Sequence, residues 1–252
     1  MKKQKSITDI LLPLGVFALI AVLWFVITGT EVVPGFLLPS PTKVAIAFVK
    51  DIPTIMGHTG YTIAESVIGM GISIVIAFFA AVIMDKFACI KKAFYPLLVV
   101  TQTIPAIAIA PILVLWFGFG IAPKVILIVI VCFFPVAVGF LDGFASVDAD
   151  EIKLLCSMGA NNIQIFRHLK LPRSLPHFFA GFKVSSSYCI VSAVISEWLG
   201  GTNGLGVYLN RVRSSYDYDK MFAVIILVSV LSLMVMAVIS VLEKKLMPYR
   251  DK

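Results

Sequence analysis

Charge is scarce in this sequence: Asp, Glu, Lys and Arg together make up 14% of its 252 residues, against roughly a quarter in an ordinary soluble domain. So few charges cannot cover a soluble surface, which excludes one or two ordinary soluble domains. Cysteine is sparse too. Cys89, Cys132, Cys156 and Cys189 stand at no metal-ligand spacing, and two of them fall inside apolar runs where a thiol packs as a small hydrophobe. No disulfide and no metal centre is expected. His58, His168 and His177 share no ligand spacing either. A phosphate loop of the Gly-x4-Gly-Lys-Ser/Thr kind is absent, so the chain does not cradle nucleotide phosphates in that way. No nucleophile, acid and base cluster near one face, which argues against a membrane enzyme.

Apolar residues are what the chain has in excess, at 60%. They come in uncharged runs long enough to cross a bilayer: Ile10 to Thr28, Ser66 to Met84, Ala93 to Pro123, Val125 to Leu141 and Met221 to Leu242. The run from Val184 to Ser196 is shorter, but extended from Phe178 to Leu199 it spans with charges near its ends. Its serines, Ser185, Ser186, Ser187, Ser192 and Ser196, suit a helix facing other helices or a polar path. The expected fold is all-α, a single transmembrane domain over residues 1–252 with about six membrane helices. The first run follows Lys2, Lys3 and Lys5 without a clear cleavage site and is read as an uncleaved helix.

The net charge of +7 has no basic stretch interleaved with aromatics, so no nucleic-acid partner is expected; the cations sit at the ends of apolar runs. In the six-helix layout fifteen of the 21 Lys and Arg residues fall on the side of the N-terminus and six on the other, which puts both termini in the cytoplasm. The outer connections are then roughly 29–61, a short turn at 120–124, and 200–220. Inside lie a short link, 85–92, and a large loop, 142–177.

That loop has local signals of its own. Asp148, Asp150 and Glu151 favour a helix start, Gly159 can end it in left-handed backbone, and a second helical stretch, Asn161 to Lys170, should run until Pro172 stops it. The segment from Thr42 to Tyr61 is either an amphipathic helix on the outer face or a plain linker. Glu197, beside Trp198 and Gly200, either lines an outer gate or sits at the interface and caps locally. Glu65 and Lys183 fall near helix ends, where snorkelling or interfacial placement is expected.

The run Gly159, nine residues, Leu169, Lys170, Leu171, Pro172 resembles the cytoplasmic signature of binding-protein-dependent ABC importer permeases. That signature reads Glu-Ala-Ala, three residues, Gly, nine residues, Ile, one residue, Leu-Pro. Here Lys153, Leu154 and Leu155 replace Glu-Ala-Ala, followed three residues later by Gly159 and Ala160. Leu38-Pro39-Ser40-Pro41 through Val44, and Thr103-Ile104-Pro105 through Pro111 to Gly120, also resemble the sulfonate, taurine, nitrate and thiamine-precursor branch. So does Ser196-Glu197-Trp198-Leu199-Gly200-Gly201 through Gly206.

The resemblance implies a permease subunit in a prokaryotic inner membrane, itself non-catalytic. Its implied partners are a cytoplasmic ATPase dimer that carries ATP and Mg, a second permease copy, an external substrate-binding protein and the surrounding lipid. No cofactor is bound by the chain itself. Lys153, Leu154, Leu155, Gly159, Ala160, Leu169, Leu171 and Pro172 would form the loop that couples to the ATPase, with Pro172 and Pro176 stiffening its exit. Pro105, Pro111, Ser192, Ser196 and Glu197 are candidates for the translocation path or gate, although the two prolines serve equally as plain helix kinks. The alternative is a gradient-driven secondary transporter; such proteins bury paired charges at mid-membrane, and the five clearest runs here carry none between their ends.

Overall fold

A computed structural model of the chain describes residues 7–30 and 33–247. The basic residues Lys2, Lys3, Lys5, Arg250 and Lys252, used above for orientation, lie outside the described residues. Everything regular is helix: α1 (Ile7–Gly29), α2 (Pro41–Lys50), α3 (Ile52–Lys86), α4 (Ala88–Thr101), α5 (Ala106–Phe117), α6 (Ile121–Ala145), α7 (Ala149–Ser157), α8 (Asn162–Ile165), a π turn (Phe166–Lys170), α9 (Leu171–Gly200), α10 (Leu205–Ser214) and α11 (Tyr218–Leu246).

Four segments are long and apolar enough to cross a membrane: α3, α6, the run Asn162–Leu199, and α11. The expected single crossing Ala93 to Pro123 is instead two helices, α4 and α5, bent by 100° at Gln102–Pro105. Pro105 has no N–H to continue the ladder and stands with extended backbone just ahead of α5, so the chain changes direction there. If the bent pair is one span the number is five, and α1 adds a shorter apolar stretch, Gly15–Gly29.

Three further expectations are corrected. The segment Thr42–Tyr61 is neither a surface helix nor a linker throughout: α2 is a separate helix capped by Ser40, and from Ile52 the chain is already α3, with Pro53 in its first turn. At 35 residues α3 is about 50 Å long, well beyond a hydrocarbon core of about 30 Å, so it projects past the bilayer. Pro172 does not end a helix. It falls in the first turn of α9, where a missing N–H costs nothing, and the π turn joins α8 to α9 without a break. The turn expected at 120–124 lies earlier, at Gly118–Gly120, which leaves Lys124 inside α6.

α6 is the central helix, packed between α3 and α9. At one end Ala77, Ala81, Val136, Ala137 and Leu141 form the core, with Phe140 stacked on Phe178 at 4.6 Å and edge-on to Phe78 at 5.3 Å. At the other end Ile55, Val194, Leu205, Tyr208 and Val224 join α3, α9, α10 and α11. Gly139 and Gly143, four apart on α6, let α9 approach until backbones touch: a Cβ at Gly143 would lie 2.5 Å from the Ser174 Cα, and one at Gly139 would lie 2.7 Å from the His177 carbonyl oxygen. Gly143→Val should therefore destabilise the detergent-solubilised protein by about 1–3 kcal/mol through overpacking. A melting temperature equal to that of the unsubstituted protein would show that this contact does not hold the two helices together.

Candidate coupling loop and translocation path

The loop between α6 and α9 builds its geometry from local rules. Asp148 caps α7 by accepting from the Asp150 N–H at 3.0 Å, and Asp150 and Glu151 sit at the positive end of the helix. At the far end the Ala160 N–H reaches back to the Leu155 carbonyl and the Gly159 N–H to the Cys156 carbonyl, both at 3.0 Å. Those two bonds form a Schellman motif, and its left-handed residue is Gly159, with φ of +85°. Asn161 and Gln164 then cap α8 reciprocally. Two ion pairs fix the loop to the bundle: Arg173 to Glu151 at 2.5 Å, and Lys170 to Asp85, at the end of α3, at 2.7 Å.

On this scaffold Lys153 is exposed and pairs only with Asp150, one turn earlier. Leu154, Met158 and Ile163 are 61%, 74% and 76% exposed, a set of large apolar side chains left uncovered by the described residues. Leu155, Ala160, Leu169 and Leu171 are half-buried, and Pro172 is exposed. The predicted coupling residues thus fall on two helical pieces: Lys153, Leu154 and Leu155 on α7, and Leu169, Leu171 and Pro172 on the continuous run from α8 through the π turn into α9, with Gly159 and Ala160 in the turn between them.

The predicted path residues are less united. Pro105 lines a cavity of about 270 Å³ at the α4–α5 bend, together with Thr101, Gln102, Ile130 and Tyr188. Pro111 lies one turn along α5 and is exposed. Ser192 and Ser196 are buried in α9, and each donates to a carbonyl of its own helix: Ser192 to Tyr188 at 2.6 Å and Ser196 to Ala193 at 2.7 Å. Glu197 is 1% exposed and does cap locally, but from inside the bundle. It accepts from the Gly206 N–H at 2.6 Å and from the Thr62 hydroxyl at 2.7 Å. Thr62 accepts from the Leu205 N–H at 2.9 Å, and His58 Nδ1 from the Gly204 N–H at 3.0 Å. Three side chains from α3 and α9 therefore serve three consecutive donors at the start of α10.

One pair escaped the sequence. Glu65 on α3 and Lys124 on α6 are 4% and 5% exposed and bonded at 2.6 Å, while Lys124 also reaches the Asn203 carbonyl at 3.3 Å. Neither side chain snorkels. Lys183 is placed in the middle of α9 and pairs with Glu243 of α11. The signal that extends α3 back over Glu65 was present: Asp51 followed by Pro53 is a helix start fourteen residues before the uncharged run begins. Outside the spans, Tyr208 donates to Asp51, and that hydrogen bond, aided by Thr54 and Lys220, holds the Asp51 carboxyl below its usual range despite partial burial. Burial and the neighbouring Asp51 push the Tyr208 phenol up. Because the Asp51 value is lowered on folding, this contact is in place at neutral pH and is lost only as pH falls through the lowered value.

A family model described as the binding-protein-dependent transport system inner membrane component matches residues 73–248. The formylaminopyrimidine transport permease protein ThiX of Halalkalibacterium halodurans is 35% identical over 237 residues, covering 94% of this chain and 94% of that protein. The taurine transport system permease protein TauC of Escherichia coli is 25% identical, covering 97% of this chain and 91% of its own. In fold, the chain is similar to a chain of the inward-facing MetNI methionine ABC transporter, with a TM-score of 0.68 at 16% identity over 77% of this chain and 96% of that one. These matches agree with the bundle of apolar helices described above, and the chain belongs to the binding-protein-dependent inner-membrane permeases of ABC importers.

Proposed function

We propose that this permease works as one of two identical copies with both termini in the cytoplasm, that α7 and the α8–π segment dock on the ATPase, and that the cargo is a thiamine-precursor pyrimidine. The observation that carries the docking is the triplet Leu154, Met158 and Ile163, exposed on a loop that two ion pairs hold in place. An apolar knob set on a rigid base is what a partner groove accepts, and closure of the ATPase would move α9 through the continuous helix. The second copy is supported by the α4–α5 bend, where Gln102 and Thr103 are exposed within a bent pair apolar enough to be a span. Broken backbone at membrane depth does not face lipid; it faces protein or a water-filled path.

The six-span layout counts α1 and the bent pair as one crossing each. For the cargo, the 35%-identical formylaminopyrimidine permease favours a formylaminopyrimidine, with sulfonate, taurine and nitrate as the competing class.

The test is purification in mild detergent. A separate ATPase subunit should accompany the permease and should be lost when Leu154, Met158 and Ile163 are changed together to Asp; retention of the ATPase by that variant would refute the docking surface. Cys89 and Cys156 are exposed on the side assigned to the cytoplasm, so a thiol reagent confined to the outside should leave both unlabelled in intact cells. Labelling of either overturns the orientation. Uptake of a labelled formylaminopyrimidine that disappears with this permease, while sulfonate uptake persists, supports the cargo; the reverse pattern sinks it.

A further inference from the structure

A cavity of about 320 Å³ opens where α3, α6 and the α9–α10 link meet, lined by Tyr61, Glu65, Phe119, Lys124 and Asn203. At its wall is the Glu65–Lys124 ion pair, whose two side chains are each 6% exposed. Buried ion pairs are weak devices for stability, since desolvation offsets most of their attraction. Charged groups kept inside a membrane bundle tend instead to mark a solute route. A second observation is an acceptor that the pair leaves unused. Lys124 satisfies only one Glu65 oxygen; the other, Oε2, is buried without a hydrogen-bond partner. An unpaired carboxylate oxygen in a dry wall is an acceptor waiting for a donor. Tyr61 and Phe119, both largely exposed, bring aromatic surface to the same cavity.

We propose that this cavity is a recognition subsite for a flat, amino-bearing nitrogen heterocycle, with Glu65 and Lys124 reading its edge. The proposal rests on the importer reading above and sharpens its cargo. A free carboxylate oxygen beside an ammonium is an acceptor next to a donor. The complementary edge is an exocyclic amino group adjacent to a ring nitrogen: with the Glu65 carboxyl turned toward the cavity, the amino N–H gives to Oε2, and the ring nitrogen accepts from Lys124. Tyr61 and Phe119 supply faces for the ring. A sulfonate or nitrate would meet Glu65 as a like charge beside a lysine already neutralised, so the site selects against anions. In the proposed orientation it opens to the outside, where the binding protein releases its cargo.

The experiment measures equilibrium binding to the purified permease–ATPase complex in detergent, without binding protein, so that any selectivity belongs to the permease. The probes are a labelled formylaminopyrimidine carrying a ring amino group and the same compound with that amino group replaced by hydrogen. The complex should prefer the amino compound by about tenfold or more, as expected for a hydrogen bond to a charged group. The double variant Glu65→Met with Lys124→Met removes both charges at nearly constant volume, a replacement that buried pairs commonly tolerate. It should keep its melting temperature and lose the preference. Tyr61→Ala, at an exposed position, should weaken both probes equally. Equal binding of the two probes by the unsubstituted complex, no binding of either, or an intact preference in the double variant overturns the subsite. Uptake of the amino probe into proteoliposomes holding the whole transporter is scored separately. If it is imported while the binding preference is missing, only the subsite fails; if only sulfonates are imported, the pyrimidine reading fails with it.

Discussion

Replacing Glu197 with Ala is expected to loosen the end of the bundle where α10 packs, at a loss of about 2–4 kcal/mol, because two buried polar groups lose their partner. The carboxyl is fully enclosed and both its oxygens are used. Without it the Gly206 N–H is left with no acceptor, and the Thr62 hydroxyl, which accepts from the Leu205 N–H, loses the group it donates to. Glu197→Gln keeps one acceptor oxygen and should cost distinctly less. The measurement is the thermal midpoint in detergent followed by size-exclusion profile, with uptake as a second readout. An Ala variant as stable as the parent would mean that α10 is held by its apolar contacts alone, through Leu205, Tyr208 and Leu209.

Gly159→Val should leave the protein inserted and folded but separate ATP hydrolysis from transport. Its φ of +85° is strained for any side chain and worst for a β-branched one, and open space around the position means that the backbone, not a clash, is what suffers. Losing the left-handed turn, at about 1–2 kcal/mol, would undo the Schellman bonds and swing α7 away from α8. Solute moved per ATP hydrolysed in proteoliposomes is expected to fall about tenfold or more, as when a central contact of an interface is displaced. Gly159→Asn, which tolerates left-handed backbone, should retain most coupling. Unchanged stoichiometry in the Val variant would remove Gly159 from the coupling machinery.

What could be read in the sequence was whatever depends on neighbours along the chain. The helix start near Asp148, the Gly159 turn and the start of a second helix at Asn161 are local events with local signals, and the structure has each in place. Apolar runs likewise identified the membrane helices. Charge-free runs misled wherever a helix is longer than its lipid-facing part, as α3 and α9 are, and wherever a proline redirects an apolar run, as Pro105 does. The Glu65–Lys124 pair was hidden for a different reason. Its members are 59 residues apart, each resembles an ordinary flanking charge, and only the docking of α3 on α6 makes them a buried couple. The serines of α9 suited a helix facing other helices or a polar path; Ser192 and Ser196 are buried in a helix packed against its neighbours, and each donates to a carbonyl one turn back.

The π turn at Phe166–Lys170 acts as a spacer measured in single residues. A π turn holds one residue more than the α-helix would need for the same advance, so trimming one residue there would restore plain helix while rotating everything upstream by about 100° around the axis. Arg173 would then face away from Glu151, and the apolar knobs of α7 would point along a different bearing. The azimuth at which the loop leaves the membrane is thus set by residue count, independently of which side chains the loop displays.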